Sequence, residues 1–139
     1  MKKSISAAVF VSFLFAGAAL ACDGETHQVV KEVSVPQVAE LQKSGQVTLV
    51  DANFSEFRVK HGVIPGAVLL SSYKDYQPAK ELPSDKSRKL IFYCANQRCT
   101  ASHFAATRAV EAGYADVSVL PDGLSGWRRA GKPISIPQS

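Results

Sequence analysis

Apolar, strand-like runs alternate with helix-like segments along most of this chain, and this alternation limits the fold more than any other feature of the sequence. The strand-like runs are residues 32–35, 47–51, 67–70, 90–93 and 116–120, and the helix-like segments are a stretch opened by Pro36 and residues 55–61, 100–112 and 124–130. Such alternation is typical of sheets whose parallel strands are joined by right-handed helical crossovers. The sequence therefore predicts an α/β fold with an open, mainly parallel five-stranded sheet and helices on both faces.

The composition of each run predicts its place in that sheet. Residues 90–93 form the most apolar run and are predicted to be central, because a strand covered on both faces has few polar positions. Residues 32–35 alternate between polar and apolar side chains, which is typical of an edge strand. Residues 74–88 are polar and contain two prolines, which predicts a surface connection.

Cys94 follows the predicted central strand directly, and a short loop separates it from Cys99 and the helix predicted to begin at Thr100. A thiol in this place faces the unpaired N–H groups and the positive end of the following helix, both of which favour a thiolate. The sequence therefore predicts a lowered pKa for Cys94 and chemistry at its sulfur. The alternative is a buried structural cysteine, which is common in proteins.

The first 21 residues are typical of an export signal. Lys2 and Lys3 provide the basic start, an apolar stretch follows, and Ala19-Leu20-Ala21 is a small-residue cleavage site. Cleavage would leave a chain that begins at Cys22 and has the size of one domain. We expect that chain to be periplasmic or secreted, and the alternative is a lipoprotein anchored through Cys22.

The predicted organisation is a signal peptide over residues 1–21, a flexible leader over 22–32 and one domain over 33–136. Without the signal, 14 basic and 12 acidic residues remain, so the formal charge is +2 with histidine neutral. This balance gives no reason to expect nucleic acid as a partner. We expect the protein to be a monomer.

Three separated segments resemble the rhodanese-like domain family. The segments are Leu49-Val50-Asp51 with Glu56-Phe57 and Gly62-Val63-Ile64-Pro65-Gly66-Ala67, then Cys94, and finally Val119-Leu120-Pro121-Asp122-Gly123 with Gly126-Trp127 and Ala130-Gly131-Lys132-Pro133-Ile134. Their order and spacing match the family over most of the chain, from about Val33 to Ile134. The resemblance implies a rhodanese-like sheet whose site lies in the loops at the carboxyl ends of the strands.

The same resemblance implies a sulfurtransferase in which Cys94 is the catalytic residue. Its thiolate would take sulfur from a small anion such as thiosulfate and pass it, as a persulfide, to a thiol or cyanide acceptor. Backbone N–H groups of the loop would form a cradle around the sulfur, and the substrate-binding residues would be Ala95, Asn96, Gln97, Arg98 and Thr100. This chemistry needs neither a metal nor an organic cofactor.

The sequence departs from the family's pattern at several of these positions. Val63 stands where histidine is common, and Asn53 stands where arginine is common. In many active members the loop carries a glycine at the place of Gln97 and an arginine at the place of Cys99. Arg98 lies one position earlier than that arginine, as in a small exported rhodanese of the phage-shock type, so the substrate class stays open.

Cys99 supports a second interpretation, a thiol-disulfide or redox-sensing protein in which Cys99 resolves an oxidised or persulfurated Cys94. Cys99 could equally be a small apolar residue that packs at the start of the helix. A third interpretation is a catalytically silent module that binds a partner or an oxyanion. Cys94, Cys99 and His103 could be viewed as a metal site, but a fourth ligand is not evident and we predict no metal.

Four other residues in these segments have simpler explanations. Asp51 is predicted to end a strand and to orient loops by hydrogen bonding. Trp127 is predicted to pack in the core or at its rim. Glu56 and Arg58, on a short helix, are predicted to form a solvated face.

Overall fold

The computed structural model describes residues 30–137. The signal peptide, Cys22 and most of the predicted leader lie outside the described residues. Within them, a five-stranded sheet has the order β1-β5-β4-β2-β3, and every neighbouring pair is parallel. The strands are β1 (Lys31–Glu32), β2 (Val47–Asp51), β3 (Val68–Leu69), β4 (Lys89–Tyr93) and β5 (Val117–Leu120). The predicted parallel α/β sheet is thus confirmed.

Five helices connect and cover the strands. They are α1 (Val35–Lys43), α2 (Ser55–His61), α3 (Pro78–Glu81), α4 (Ala101–Glu111) and α5 (Gly123–Arg129). The first turn of α1 contains Pro36, which lacks the N–H that would be unpaired there, and the Ser34 N–H donates to Gln37 Oε1 at 2.8 Å. Gly62 follows α2 as its C-cap, and its φ of +83° suits a residue without a side chain.

The core has two parts, one on each face of the sheet. On one face, β4 and β5 pack against the alanines of α4 through Phe92, Val119 and Ala106. On the other face, Ile91 and Leu120 pack against α1 and α5, with Trp127 fully inside. Strand β4 lies between these two parts, and Leu90, Ile91 and Phe92 are completely buried. The prediction of a central strand at residues 90–93 is therefore confirmed, as is that of helices on both faces.

Two segments differ from the sequence prediction. The edge strand is Lys31–Glu32 rather than residues 32–35, because Val35 already begins α1 and is buried against the second core part. Lys31 and Glu32, which the sequence assigned to a flexible leader, instead pair with β5. The connection over residues 74–88 also contributes to the core, since Tyr76 and Leu82 are buried. Tyr76 donates its hydroxyl to the Ala105 carbonyl at 2.7 Å, which pins the connection to α4.

None of the helices within residues 30–137 combines the length and the apolar character that crossing a membrane would require.

Candidate active site

Cys94 lies directly after β4 and is 2% exposed. Its thiol donates to the Cys99 carbonyl at 2.9 Å, and its sulfur lies 3.4 Å from Ser102 Oγ. Ser102 is in the first turn of α4, where backbone N–H groups have no partner within the helix, and its N–H also reaches the Cys94 sulfur. The sequence predicted a role for the start of this helix but did not identify Ser102. The signal available in the sequence was its position in the first helical turn after the loop.

Burial raises the pKa of the Cys94 thiol to about 11, and the neighbouring Cys99 adds to this rise. The hydroxyl and N–H of Ser102 act in the opposite direction, because hydrogen bonds to the sulfur stabilise the thiolate. The expected lowering of the Cys94 pKa is therefore wrong for this conformation. The cost of removing the sulfur from water exceeds the benefit of the helix start.

The loop after Cys94 uses part of its backbone internally. The Arg98 N–H donates to Asn96 Oδ1 at 2.9 Å, and the Cys99 N–H donates to the Asn96 carbonyl at 3.0 Å. These two N–H groups were expected to surround the sulfur of Cys94. The cradle is thus incomplete here, because Asn96 takes two of its donors and the Cys99 carbonyl faces the thiol.

The start of α5 holds the loop from the other side. The Leu124 N–H donates to the Cys94 carbonyl at 2.9 Å, and the Ser125 N–H donates to the Ala95 carbonyl at 3.0 Å. Gly123 has a φ of +57°, and a Cβ atom there would lie 2.5 Å from the Cys94 carbonyl oxygen. Only glycine allows this approach, which explains physically why the segment Pro121-Asp122-Gly123 belongs to the site.

A shallow cavity of about 260 Å³ lies on the outer side of the loop, and its lining residues are Asn96, Gln97, Arg98, Asp122 and Arg129. Gln97 Nε2 donates to Asp122 Oδ1 at 2.7 Å, which ties the loop to the residue before α5. Three of the residues predicted to bind substrate therefore line one cavity, namely Asn96, Gln97 and Arg98. Arg129 was missed, because nothing in the sequence places one residue of α5 beside the loop.

Thr100 and Ala95 lie apart from these three residues. Thr100 belongs to a larger groove of about 620 Å³ that follows α4, beside His103, Phe104 and Tyr73. Ala95 is half-buried beneath α5. The predicted substrate-binding set therefore divides among the shallow cavity, the groove along α4 and a half-buried position beneath α5.

Cys99 is half-buried and packs against the core part that contains α4. The Cys94 and Cys99 thiols are both free in this structure. His103 turns towards the sheet edge, where its Nε2 lies 3.8 Å from Glu32 Oε1. Within residues 30–137, no group of three or more histidine, cysteine or acidic residues is arranged to hold a metal ion.

A buried polar network supports the neighbouring strand end. Asp51 Oδ1 accepts the Asn53 N–H at 2.7 Å and lies 3.3 Å from Arg58 Nε. Arg58 Nη2 donates at 2.9 Å to the carbonyls of Asp51 and Leu70. Arg58 is only 7% exposed, so its assignment to a solvated face is wrong, and the reason is the carboxylate at the end of β2.

Tyr93 joins this network from β4, directly before Cys94. Its hydroxyl oxygen accepts the Ile64 N–H at 3.0 Å. Burial, and then the nearby Asp51 carboxylate, raise the pKa of Tyr93 far above its ordinary value, so the phenol stays protonated. Trp127 is buried and donates Nε1–H to the Pro133 carbonyl at 2.8 Å, which confirms its predicted packing role.

Comparison with known families gives a match to the rhodanese-like domain over residues 34–130. The chain is also 34% identical over 94 residues to an HTH-type transcriptional regulator of Mycobacterium tuberculosis. That match covers 67% of this chain but 39% of the regulator, so the chain spans well under half of that relative.

Solved structures share the same fold. A Bacillus halodurans protein has a TM-score of 0.66 at 23% identity, with 76% of each chain covered. A Rhodopseudomonas palustris protein of unknown function, described as a possible tyrosine phosphatase, has a TM-score of 0.61 at 26% identity, covering 76% of this chain and 85% of that one. A human single-domain sulfurtransferase has a TM-score of 0.59 at 24% identity, covering 72% of this chain and 96% of the human one.

Proposed function

Because this chain belongs to the rhodanese-like domain family, we propose that it is a sulfurtransferase that carries sulfur as a persulfide on Cys94. The observation that carries the proposal is the contact of the Cys94 sulfur with the N–H and hydroxyl of Ser102 at the junction of β4 and α4. Both groups donate towards the place where negative charge is needed. We extend the proposal to an exported protein, on the strength of the signal-like first 21 residues.

The first half-reaction forms the persulfide. The Cys94 thiolate attacks the outer sulfur of a donor such as thiosulfate, a new S–S bond forms, and sulfite leaves with the electrons of the broken S–S bond. In the second half-reaction, a thiolate or cyanide attacks the outer sulfur and Cys94 leaves as the thiolate. The two halves need no external oxidant or reductant, because sulfur moves as a neutral atom between nucleophiles.

Ionisation of Cys94 is the step that this conformation opposes. The thiol donates a hydrogen bond to the Cys99 carbonyl, so loss of the thiol proton leaves a thiolate facing a carbonyl oxygen. We propose that donor binding turns this carbonyl away and releases the N–H groups of Arg98 and Cys99 from Asn96. The two donors of Ser102 would hold the sulfur throughout, since they belong to α4 rather than to the loop.

A dithiol redox protein is the second candidate, and the direct contact between Cys94 and the backbone of Cys99 favours it. In that reaction the Cys99 thiolate would attack the sulfur of a Cys94 sulfenic acid made by an external oxidant, and the disulfide would close as the sulfenic oxygen leaves as water. The packing of Cys99 against the core opposes this movement, because the side chain would have to leave apolar contacts. We therefore place sulfur transfer first.

The test is the intact mass of the reduced protein after treatment with thiosulfate. We expect the wild type and Cys99→Ser each to gain one sulfur that dithiothreitol removes, and Cys94→Ser to gain none. Full sulfur uptake by Cys94→Ser would overturn the proposal. No uptake by the wild type, with loss of two hydrogens on mild oxidation, would put the dithiol reaction first, and neither change would indicate a silent binding module.

A further inference from the structure

We propose that the cavity between Arg98 and Arg129 binds the carboxylate of an anionic thiol acceptor, so that Arg129 determines acceptor specificity. The inference rests on the proposed function, because it concerns the second half-reaction of the Cys94 persulfide. It adds a residue, Arg129 of α5, and a substrate class, thiols that carry a carboxylate.

The side chains of the cavity leave two guanidinium groups available. Arg98 and Arg129 are exposed, and among residues 30–137 neither has a carboxylate within ion-pair distance. Asp122, the acidic residue of the cavity, accepts the Gln97 amide at 2.7 Å. The lining therefore has a formal charge of +1, with its carboxylate held by a neutral amide rather than by either arginine.

The chemistry of the lining suits a carboxylate better than an uncharged group. A guanidinium presents planar N–H donors that match the two oxygens of a carboxylate, and Asn96 adds a further amide to the same cavity. The volume of about 260 Å³ compares with roughly 30 Å³ for one water in the liquid, so a group of several atoms fits. Cyanide would leave most of this space unused.

The position of the cavity suits a substrate of Cys94. Arg98 is four residues after Cys94 in the chain, so their Cα atoms lie within about 14 Å of each other. The cavity is also fixed relative to the sulfur-bearing residue, since α5 donates to the carbonyls of Cys94 and Ala95. Cys94 itself is 2% exposed and does not line the cavity. An acceptor whose carboxylate is bound here would therefore reach the outer sulfur of the persulfide after the loop movement proposed for donor binding.

Arg128 provides a matched control for Arg129. The two arginines are adjacent on α5 and both are exposed, but only Arg129 lines the cavity. Removing either side chain changes the net charge equally. A difference in discharge rate between Arg129→Ala and Arg128→Ala is therefore due to the cavity rather than to the net charge of the protein.

The experiment measures the two half-reactions separately by intact mass. Persulfide is first formed with thiosulfate, excess donor is removed, and discharge is followed with 3-mercaptopropionate or with uncharged 2-mercaptoethanol. We expect Arg129→Ala to lower the rate with 3-mercaptopropionate by about five- to tenfold and to leave the rate with 2-mercaptoethanol unchanged. Arg128→Ala should keep the wild-type ratio of the two rates, and added salt should reduce that ratio in the wild type.

Each other outcome has a distinct meaning. If the wild type forms the persulfide but Arg129→Ala and Arg128→Ala discharge alike, the inference is overturned and sulfur transfer stands. Slower persulfide formation in Arg129→Ala with unchanged discharge would assign the cavity to the donor and overturn the acceptor assignment. If the wild type takes up no sulfur, the proposed function is overturned together with the inference.

Discussion

The ends of the neighbouring strands β2 and β4 are held in place by different means. After β2, a buried carboxylate and a buried guanidinium fix the chain, through Asp51 and Arg58. After β4, the carbonyls of Cys94 and Ala95 are fixed by backbone N–H groups of α5, while residues 96–98 keep their side chains exposed. Asn96 and Gln97 also make hydrogen bonds within this region, but the Arg98 side chain makes none to any residue between 30 and 137. The comparison shows how anchoring through the backbone and neutral amides leaves a cationic side chain for a substrate, whereas the arginine after β2 is used for stability.

A substitution in the ion pair at the end of β2 should cause the largest loss of stability. Arg58→Ala leaves the Asp51 carboxylate buried without its ion-pair partner, and we expect a loss of about 3–5 kcal/mol in the free energy of unfolding. Urea denaturation measures this loss. Arg128→Ala is the control, because that side chain is exposed, and we expect it to change stability by under about 0.5 kcal/mol. A loss below about 1 kcal/mol for Arg58→Ala would show that the network contributes little.

The β4 end should be most sensitive at Gly123. In Gly123→Ala the new Cβ meets the Cys94 carbonyl, so either the loop or α5 must shift, and we expect a loss of about 1–3 kcal/mol together with slower sulfur uptake. Gly131→Ala is a matched control, since φ there is +68° but a Cβ meets nothing within 4 Å. Equal effects of the two substitutions on sulfur uptake would mean that backbone strain, rather than contact with the loop, is responsible.

The reactivity of Cys94 should show the third effect. Because the folded-state pKa of Cys94 is raised, its thiolate fraction should rise with pH up to about 11. The rate at which iodoacetamide alkylates Cys94 should rise in parallel. The stability contributed by the protonated thiol is complete below pH 9.0, its ordinary pKa, and is lost as the pH rises through about 11. A rate that levels off below pH 8 would show that the loop surrounds the sulfur with N–H groups in solution.

Ser102→Ala refines this measurement, because it removes one donor to the sulfur while the N–H of the same residue remains. We expect the alkylation rate at pH 8 to fall by about two- to fivefold. Thr107→Ala, on the exposed side of α4, is the control and should leave the rate unchanged. An unchanged alkylation rate in Ser102→Ala would show that the Ser102 hydroxyl does not stabilise the Cys94 thiolate.

The sequence predicted the framework because the framework depends on local patterns. Residues 47–51 and 55–61 have the predicted bounds, since apolar strand positions and a helix-ending glycine mark them directly. The site was less predictable. The burial of Arg58 depends on a carboxylate seven residues away, and the raised pKa of Cys94 depends on which loop groups face its sulfur. Arg129 reaches the loop only through the packing of α5, which no local pattern encodes.

The pairing of β1 with β5 has a consequence for how the molecule forms. Strand β4, the most apolar in the sheet, has β2 on one side and needs β5 on the other. During synthesis β5 emerges last of the five strands, and β1 must wait for it because the two are partners. Until Leu120 is available, β4 presents an unpaired apolar edge, and such edges favour association between chains. Association between chains is therefore favoured while β4 lacks β5.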